Sequence, residues 1–258
     1  MSSRERVDVG KGAKSQVVIT QAPHALDIAD VRSHVSLDIH VDRAVVKRYL
    51  GAAGKELTPD LEARVEAGIR ACESQVKASF VYKAFSFDSL PLTLLGTDIQ
   101  NHLADSVGCV FLACTLGVSC DQFIRMRAIK SPLDSLIFDT AASAYIEEVA
   151  NVCEAAIVTK AAGENLLVNG RFSPGYGDFP LTLQHEFLDA VDAQRKIGLS
   201  VTESSMLNPT KSITACLGLF DSRDAAGMHT DLYPQRLCAS CVCHDYCYLR
   251  KAKTPCYL

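Results

Sequence analysis

The sequence predicts an α+β domain, and three observations carry that prediction. Helix and strand signals mix along the chain without the regular strand–helix–strand repeat that a parallel sheet needs. At 258 residues, 48% apolar and 22% charged, the chain can bury a substantial core as one domain with elaborations. Cys109 to Thr115 is a continuous apolar run of strand length, the pattern of a buried strand.

The elements follow in order. Met1 to Gln16 reads as a flexible arm, 17–232 as the α+β domain, and 233–258 as a cysteine-rich tail. Val35 to Val41 alternates apolar and polar residues, which is the period of a strand. Asp42 can cap a short helix through Tyr49 that Gly51 ends. Thr58 as N-cap and Pro59 at the first helical position open a long helix toward Phe80. Phe80 to Phe87 reads as a strand and Asp98 to Ala104 as a helix, and the buried strand then ends at Gly117. Helices follow over Ser119 to Ala128 and Ser135 to Ala161. In the second, Ala141, Ala142, Ala144 and Ala150 allow close helix packing. Leu166 to Phe172 is a strand, Leu181 to Gln194 a helix, and Lys211 to Phe220 the last strand.

Composition excludes several classes. A net charge of −4 gives no electrostatic reason to expect nucleic acid. No apolar run reaches the ~20 residues of a membrane span. Met1 to Lys14 lacks the apolar stretch of a secretory signal. Of eleven cysteines, six are scattered through apolar segments and five crowd into Cys238 to Cys256. Without a signal peptide, that pattern predicts a reducing cytoplasm, with buried thiols and a metal or redox cluster.

The richest segment is Arg171-Phe-Ser-Pro174-Gly175-Tyr176-Gly177-Asp178. Proline fixes φ, and glycine lets backbone approach a ligand with no Cβ in the way. Arg171 brings a planar fork suited to a carboxylate, and Tyr176 an aromatic face with a polar tip. A second segment, Thr202-Glu203-Ser204 with Pro209 beyond it, leads into the last strand. Two other patterns fail. Gly10 to Ser15 has Ala13 where a phosphate loop needs glycine before its lysine. Asp38 to Arg43 misses the corrinoid-binding D-x-H-x-x-G by an arginine, and its His40 reads as a surface strand residue.

Together, and in this order and spacing, R-x-x-P-G-Y and T-E-S with its following proline resemble the S-adenosylmethionine-binding activation domain of cobalamin-dependent methionine synthase. The match covers about a fifth of the chain. The similarity extends to small stand-alone proteins with this domain, through Tyr49-Leu50-Gly51, Gly96 to Leu103 (G-x-D-I-x-x-H-L) and Ala113 to Gly117 (A-C-T-L-G). The resemblance implies a mostly antiparallel twisted sheet with packed helices. It also implies that Arg171 binds the donor's methionine carboxylate, while Pro174, Gly175 and Tyr176 meet its adenosine or amino-acid part; the alternatives are a solvated strand-end charge at Arg171 and a packing aromatic at Tyr176. Glu203 orients a ligand hydroxyl or ammonium, or else forms a strand-end salt bridge. Asn165, with Glu164 beside it, stands where the family carries an acidic residue. Lys211 has no counterpart and no assigned role.

The activity so implied is reductive reactivation of a cobalamin-dependent methyltransferase, a split methionine synthase. S-adenosylmethionine is the methyl donor. The cobalamin arrives on a corrinoid-binding partner, and the electron comes from a flavodoxin- or ferredoxin-type donor. No proton moves in the methyl transfer, so no catalytic acid, base or nucleophile is expected. Cys238, Cys241, Cys243, Cys247 and Cys256, with His244 among them, suit an iron–sulfur cluster or zinc. A reduced, metal-free thiol tail is the alternative. Two rival functions stand beside the first. One is an iron–sulfur redox activator of another corrinoid methyltransferase. The other is a non-catalytic module that caps a corrinoid domain.

Overall fold

The computed structural model describes residues 39–222. The arm, the Cys238 to Cys256 cluster and most of the alternating segment from Val35 lie outside them. A four-stranded antiparallel sheet, ordered β1-β2-β6-β3, forms the middle layer. β1 (Ser79–Ser86) pairs with β2 (Gly108–Thr115) along its full length, from Ser79 opposite Thr115 to Ser86 opposite Gly108. β2 pairs in turn with β6 (Ser212–Asp221), and the short β3 (Leu166–Val168) pairs with the far end of β6. Every residue of β2 is buried. A strand covered on both faces has no polar side, which explains its unbroken apolar run.

One face carries Phe80, Tyr82, Val110, Leu112, Cys114 and Leu217. Over it lie α1 (Arg43–Tyr49), α2 (Pro59–Gln75), α4 (Gly117–Lys130) and the long α5 (Pro132–Gly163). Ala141, Ala142, Ala144 and Ala150 of α5 are buried as expected. Close packing extends to α2, where a Cβ on Gly68 would sit 2.5 Å from Ile137 Cγ2. Asp42, Thr58 and Ser131 cap α1, α2 and α5 through side-chain oxygens. The other face carries Val81, Phe85, Cys109, Phe111 and Cys216. It packs against α3 (Thr97–His102), α6 (Gln184–Val191) and α7 (Ala193–Ile197). The stacked rings of Phe111 and Phe187, 4.1 Å apart, join the sheet to α6.

Four expectations change. Ile39 and Val41 are buried and His40 is exposed, so the alternation is real, but these residues are coil rather than strand. The Val41 N–H donates to Glu73 on α2 instead of to a neighbouring strand. α2 stops at Gln75, short of Phe80. The helix expected over Leu181 to Gln194 begins with a 3₁₀ turn and breaks at Asp192, whose left-handed backbone (φ 57°) separates α6 from α7. Aspartate adopts that conformation more readily than most residues, so no glycine announced the break. The strand expected over Leu166 to Phe172 is interrupted after Val168. There the Asn169 amide takes over the ladder, its Oδ1 accepting from Gly218 N at 2.6 Å. Phe172 then rejoins β6 through a single bridge to Cys216. A hairpin that sequence reasoning missed, β4 (Ser200–Val201) with β5 (Leu207–Asn208), is too short to show a period.

Candidate functional site

Arg171 stands where the chain comes back to β6, and its side chain reaches α5. Its Nε lies 3.0 Å from Glu154 Oε2, its Nη2 donates to Asn151 Oδ1 at 2.8 Å, and its Nη1 is 3.6 Å from Glu147 Oε2. Residues 147, 151 and 154 recur at helical spacing, so one face of α5 presents them together. Burial raises the Glu154 carboxyl above its ordinary range more than Arg171 lowers it. These three α5 residues escaped the sequence reading because their spacing is that of any solvated helix face. Lys211 docks on the same helix, with Nζ 3.0 Å from Asp139 Oδ1 and 2.8 Å from Ser143 Oγ.

Pro174, Gly175 and Tyr176 form a compact turn. Tyr176 N donates to Ser173 O, Phe179 N to Tyr176 O, and Gly175 N to Phe179 O at 2.8 Å. Gly175 adopts φ 95° and Gly177 φ 52°, values that suit glycine. Pro174 is buried, whereas Gly175 and Tyr176 face solvent. The turn is bonded to α3. The Asp178 carboxylate accepts from Thr97 N at 2.6 Å and Asp98 N at 2.9 Å, and the Asp98 carboxylate accepts from Asp178 N at 3.1 Å. The glycines beside this exchange are sterically required. A Cβ on Gly177 would fall 2.0 Å from Asp98 Oδ2, and one on Gly96 2.6 Å from Asp178 Oδ1. Thus the G-x-D-I-x-x-H-L and P-G-Y segments, far apart in sequence, meet in space.

Behind the turn, Phe172 stacks on His102 (5.1 Å, 28°) and on Phe179 (6.2 Å), and meets Tyr176 edge-on (6.0 Å). Burial lowers the His102 pKa to about 4, so its imidazole is neutral at neutral pH.

The second motif is the tip of the β4–β5 hairpin. Thr202 Oγ1 accepts from Met206 N, and Thr202 and Ser204 exchange a hydroxyl contact of 3.0 Å. Glu203 is exposed there and makes no hydrogen bond or ion pair among the described residues. The structure therefore unites Arg171 with Pro174, Gly175 and Tyr176 in one turn and leaves Glu203 on a separate one. A cavity of about 560 Å³ lies elsewhere, between α6, α7 and β4, lined by His185, Asp189, Asp192, Arg195 and Ser200 among others. It includes none of the motif residues. Size alone is a weak guide to a site, and the polar groups that converge do so at Arg171.

The six described cysteines are buried free thiols. Burial pushes Cys114 and Cys120 up to about 12 and raises Cys72, Cys153 and Cys216 well above the ordinary thiol range. These five are not thiolates at neutral pH, which fits packing rather than nucleophilic chemistry. Among the described residues no cluster of histidine, cysteine or acidic side chains has the arrangement of a metal site. Nor is any described helix long and apolar enough to cross a membrane.

The architecture defines a class: an α+β domain with an antiparallel sheet between two helical layers and a glycine-rich turn clamped at one end. Solved structures of this class include the MetH reactivation domain bound to AdoHcy. It is 14% identical to this chain, with a TM-score of 0.57 over 84% of this chain and 88% of that one. This likeness establishes that the chain has the reactivation-domain fold. No protein-family model and no curated protein matches the chain.

Proposed function

We propose that this protein binds S-adenosylmethionine at the Arg171–Tyr176 turn and offers its methyl group to a corrinoid carried by a partner protein. Its role would be to reactivate a cobalamin-dependent methyltransferase, a split methionine synthase. The observation that carries this reading is the turn itself, with Arg171 ordered at its head and Gly175 and Tyr176 open to solvent, in a fold whose solved relative is bound to AdoHcy.

The residues suit an amino-acid head group. A guanidinium has five N–H donors, and the α5 contacts of Arg171 leave donors for a ligand carboxylate. Glu147 and Glu154 lie beside it and suit the ligand's ammonium. In the reaction, a reduced carrier gives one electron to the partner's cobalt(II), forming cobalt(I). The cobalt(I) lone pair then attacks the sulfonium methyl. A cobalt–carbon bond forms as the sulfur–carbon bond breaks, and that bonding pair leaves on the neutral thioether. The protein's task is positioning and the exclusion of water. Calorimetric titration of the purified protein with S-adenosylmethionine tests the reading: saturable one-to-one binding supports it, and its absence rejects it.

A second reading is favoured by the five cysteines of Cys238 to Cys256 and by the engagement of Arg171 with α5. In it, an iron–sulfur cluster held by these thiolates delivers the electron to a corrinoid methyltransferase without S-adenosylmethionine. Metal analysis and electron paramagnetic resonance of anaerobically purified protein separate the cases. Iron with a paramagnetic signal on reduction supports the cluster, whereas stoichiometric zinc makes the tail structural.

A further inference from the structure

α3 contributes nothing to either motif of the donor reading, yet it holds the first of them at both ends. At one end the His102 ring stacks on Phe172, and Asn169 Nδ2 donates to His102 O at 2.8 Å. At the other, Asp98 and Asp178 exchange carboxylate-to-backbone hydrogen bonds. Between these anchors lie Ser173 to Gly177.

We propose that Asp98 and His102 are positioning residues for the methyl donor, acting through the turn between Phe172 and Asp178. This rests on the donor-binding reading above. A segment with two glycines at positive φ has a large conformational freedom to lose. Left loose, it would charge that ordering cost to every ligand that binds; anchored at both ends, it has met the cost on folding. The close approach that Gly96 and Gly177 permit is what makes the anchor possible.

The latch also has a defined charge state. Asp98 is the charged side chain that faces Asp178, and it comes from α3. The donors around Asp178 are chiefly the backbone N–H groups of Asp98 and Thr97, and they hold its carboxyl below the ordinary range. A carboxyl so depressed contributes its stabilisation above its unfolded pKa and loses it as pH falls through the folded one. The latch is therefore strongest at neutral pH and weakens on acidification.

The test uses the full chain, titrated with S-adenosylmethionine across a pH series, with amide exchange at Thr97, Asp98 and Asp178 followed in parallel. Asp98→Ala is expected to weaken binding about tenfold or more and to expose the Asp178 amide to exchange. Asp98→Asn keeps an oxygen that can accept from Asp178 N and should restore most of the affinity, a rescue that general destabilisation would not give. Asp178→Asn should flatten the acid limb of the wild-type affinity profile. His102→Phe, which keeps the stack, should bind better than His102→Ala. If wild type binds the donor and a folded Asp98→Ala binds it equally well, this proposal alone is overturned. A wild type that binds no donor at any pH overturns the donor reading and this proposal with it.

Discussion

The two motif-bearing turns differ in what holds them. The Arg171–Asp178 turn is tied to three other elements: to α5 through Arg171, to β6 through Phe172, and to α3 through Asp178. The Thr202–Met206 turn is held mainly by itself, through Thr202 and Met206. A segment that departs from regular structure but is fixed from several sides resembles sites where function dictates geometry. The hairpin tip holds its own left-handed residue, Ser205 (φ 61°), through the Ser205 N–H donating to Thr202 O. The contrast supports the proposal that the first turn is the ligand site.

The sharpest way to break this comparison is Gly177→Ala. Its Cβ would meet the Asp98 carboxylate at 2.0 Å, and its backbone holds positive φ. We expect a loss of roughly 3 kcal/mol in stability, measured by denaturant unfolding, and loss of donor binding. Next comes Arg171→Ala, expected to weaken donor binding by roughly 1.5–3 kcal/mol in a calorimetric titration; equal affinities would remove its carboxylate role. Third, pH should act through His102. Its folded pKa, about 4, lies below the ordinary 6.5. Between these values the unfolded chain binds the proton and the folded one does not, so stability falls as pH drops through that window. The expected change is roughly 3 kcal/mol, and denaturant midpoints of wild type and His102→Phe would show whether the slope disappears with the imidazole. Smallest of all, Glu203→Gln should alter stability by less than about 0.5 kcal/mol. A large fall in donor affinity in this variant would return the hairpin tip to the site and erase the contrast.

Capped helices were the most legible part of the fold. Asp42, Thr58 and Pro59 mark helix starts by local chemistry, and the structure places α1 and α2 there. β2 was equally plain because burial on both faces leaves only apolar residues. What failed was decided by tertiary contacts. Ile39 and Val41 alternate because one side faces the core, but strand pairing needs a neighbour that periodicity does not reveal. The Asn169 amide that replaces a backbone rung and the left-handed Asp192 carry no pattern of their own. In the site, R-x-x-P-G-Y was visible as a motif, but its supports were not. Glu147, Asn151 and Glu154 look like an ordinary polar helix face until Arg171 is laid across them.

The six buried thiols have a practical consequence. Alkylating reagents attack thiolates, and burial keeps Cys72, Cys114, Cys120, Cys153 and Cys216 protonated as well as out of reach. Cys109 shares the burial. Of the eleven cysteines, the other five all fall between Cys238 and Cys256. Any label taken up by the native protein therefore reports on that cluster alone. The core is a silent background against which the state of those five cysteines is read by mass in unaltered protein.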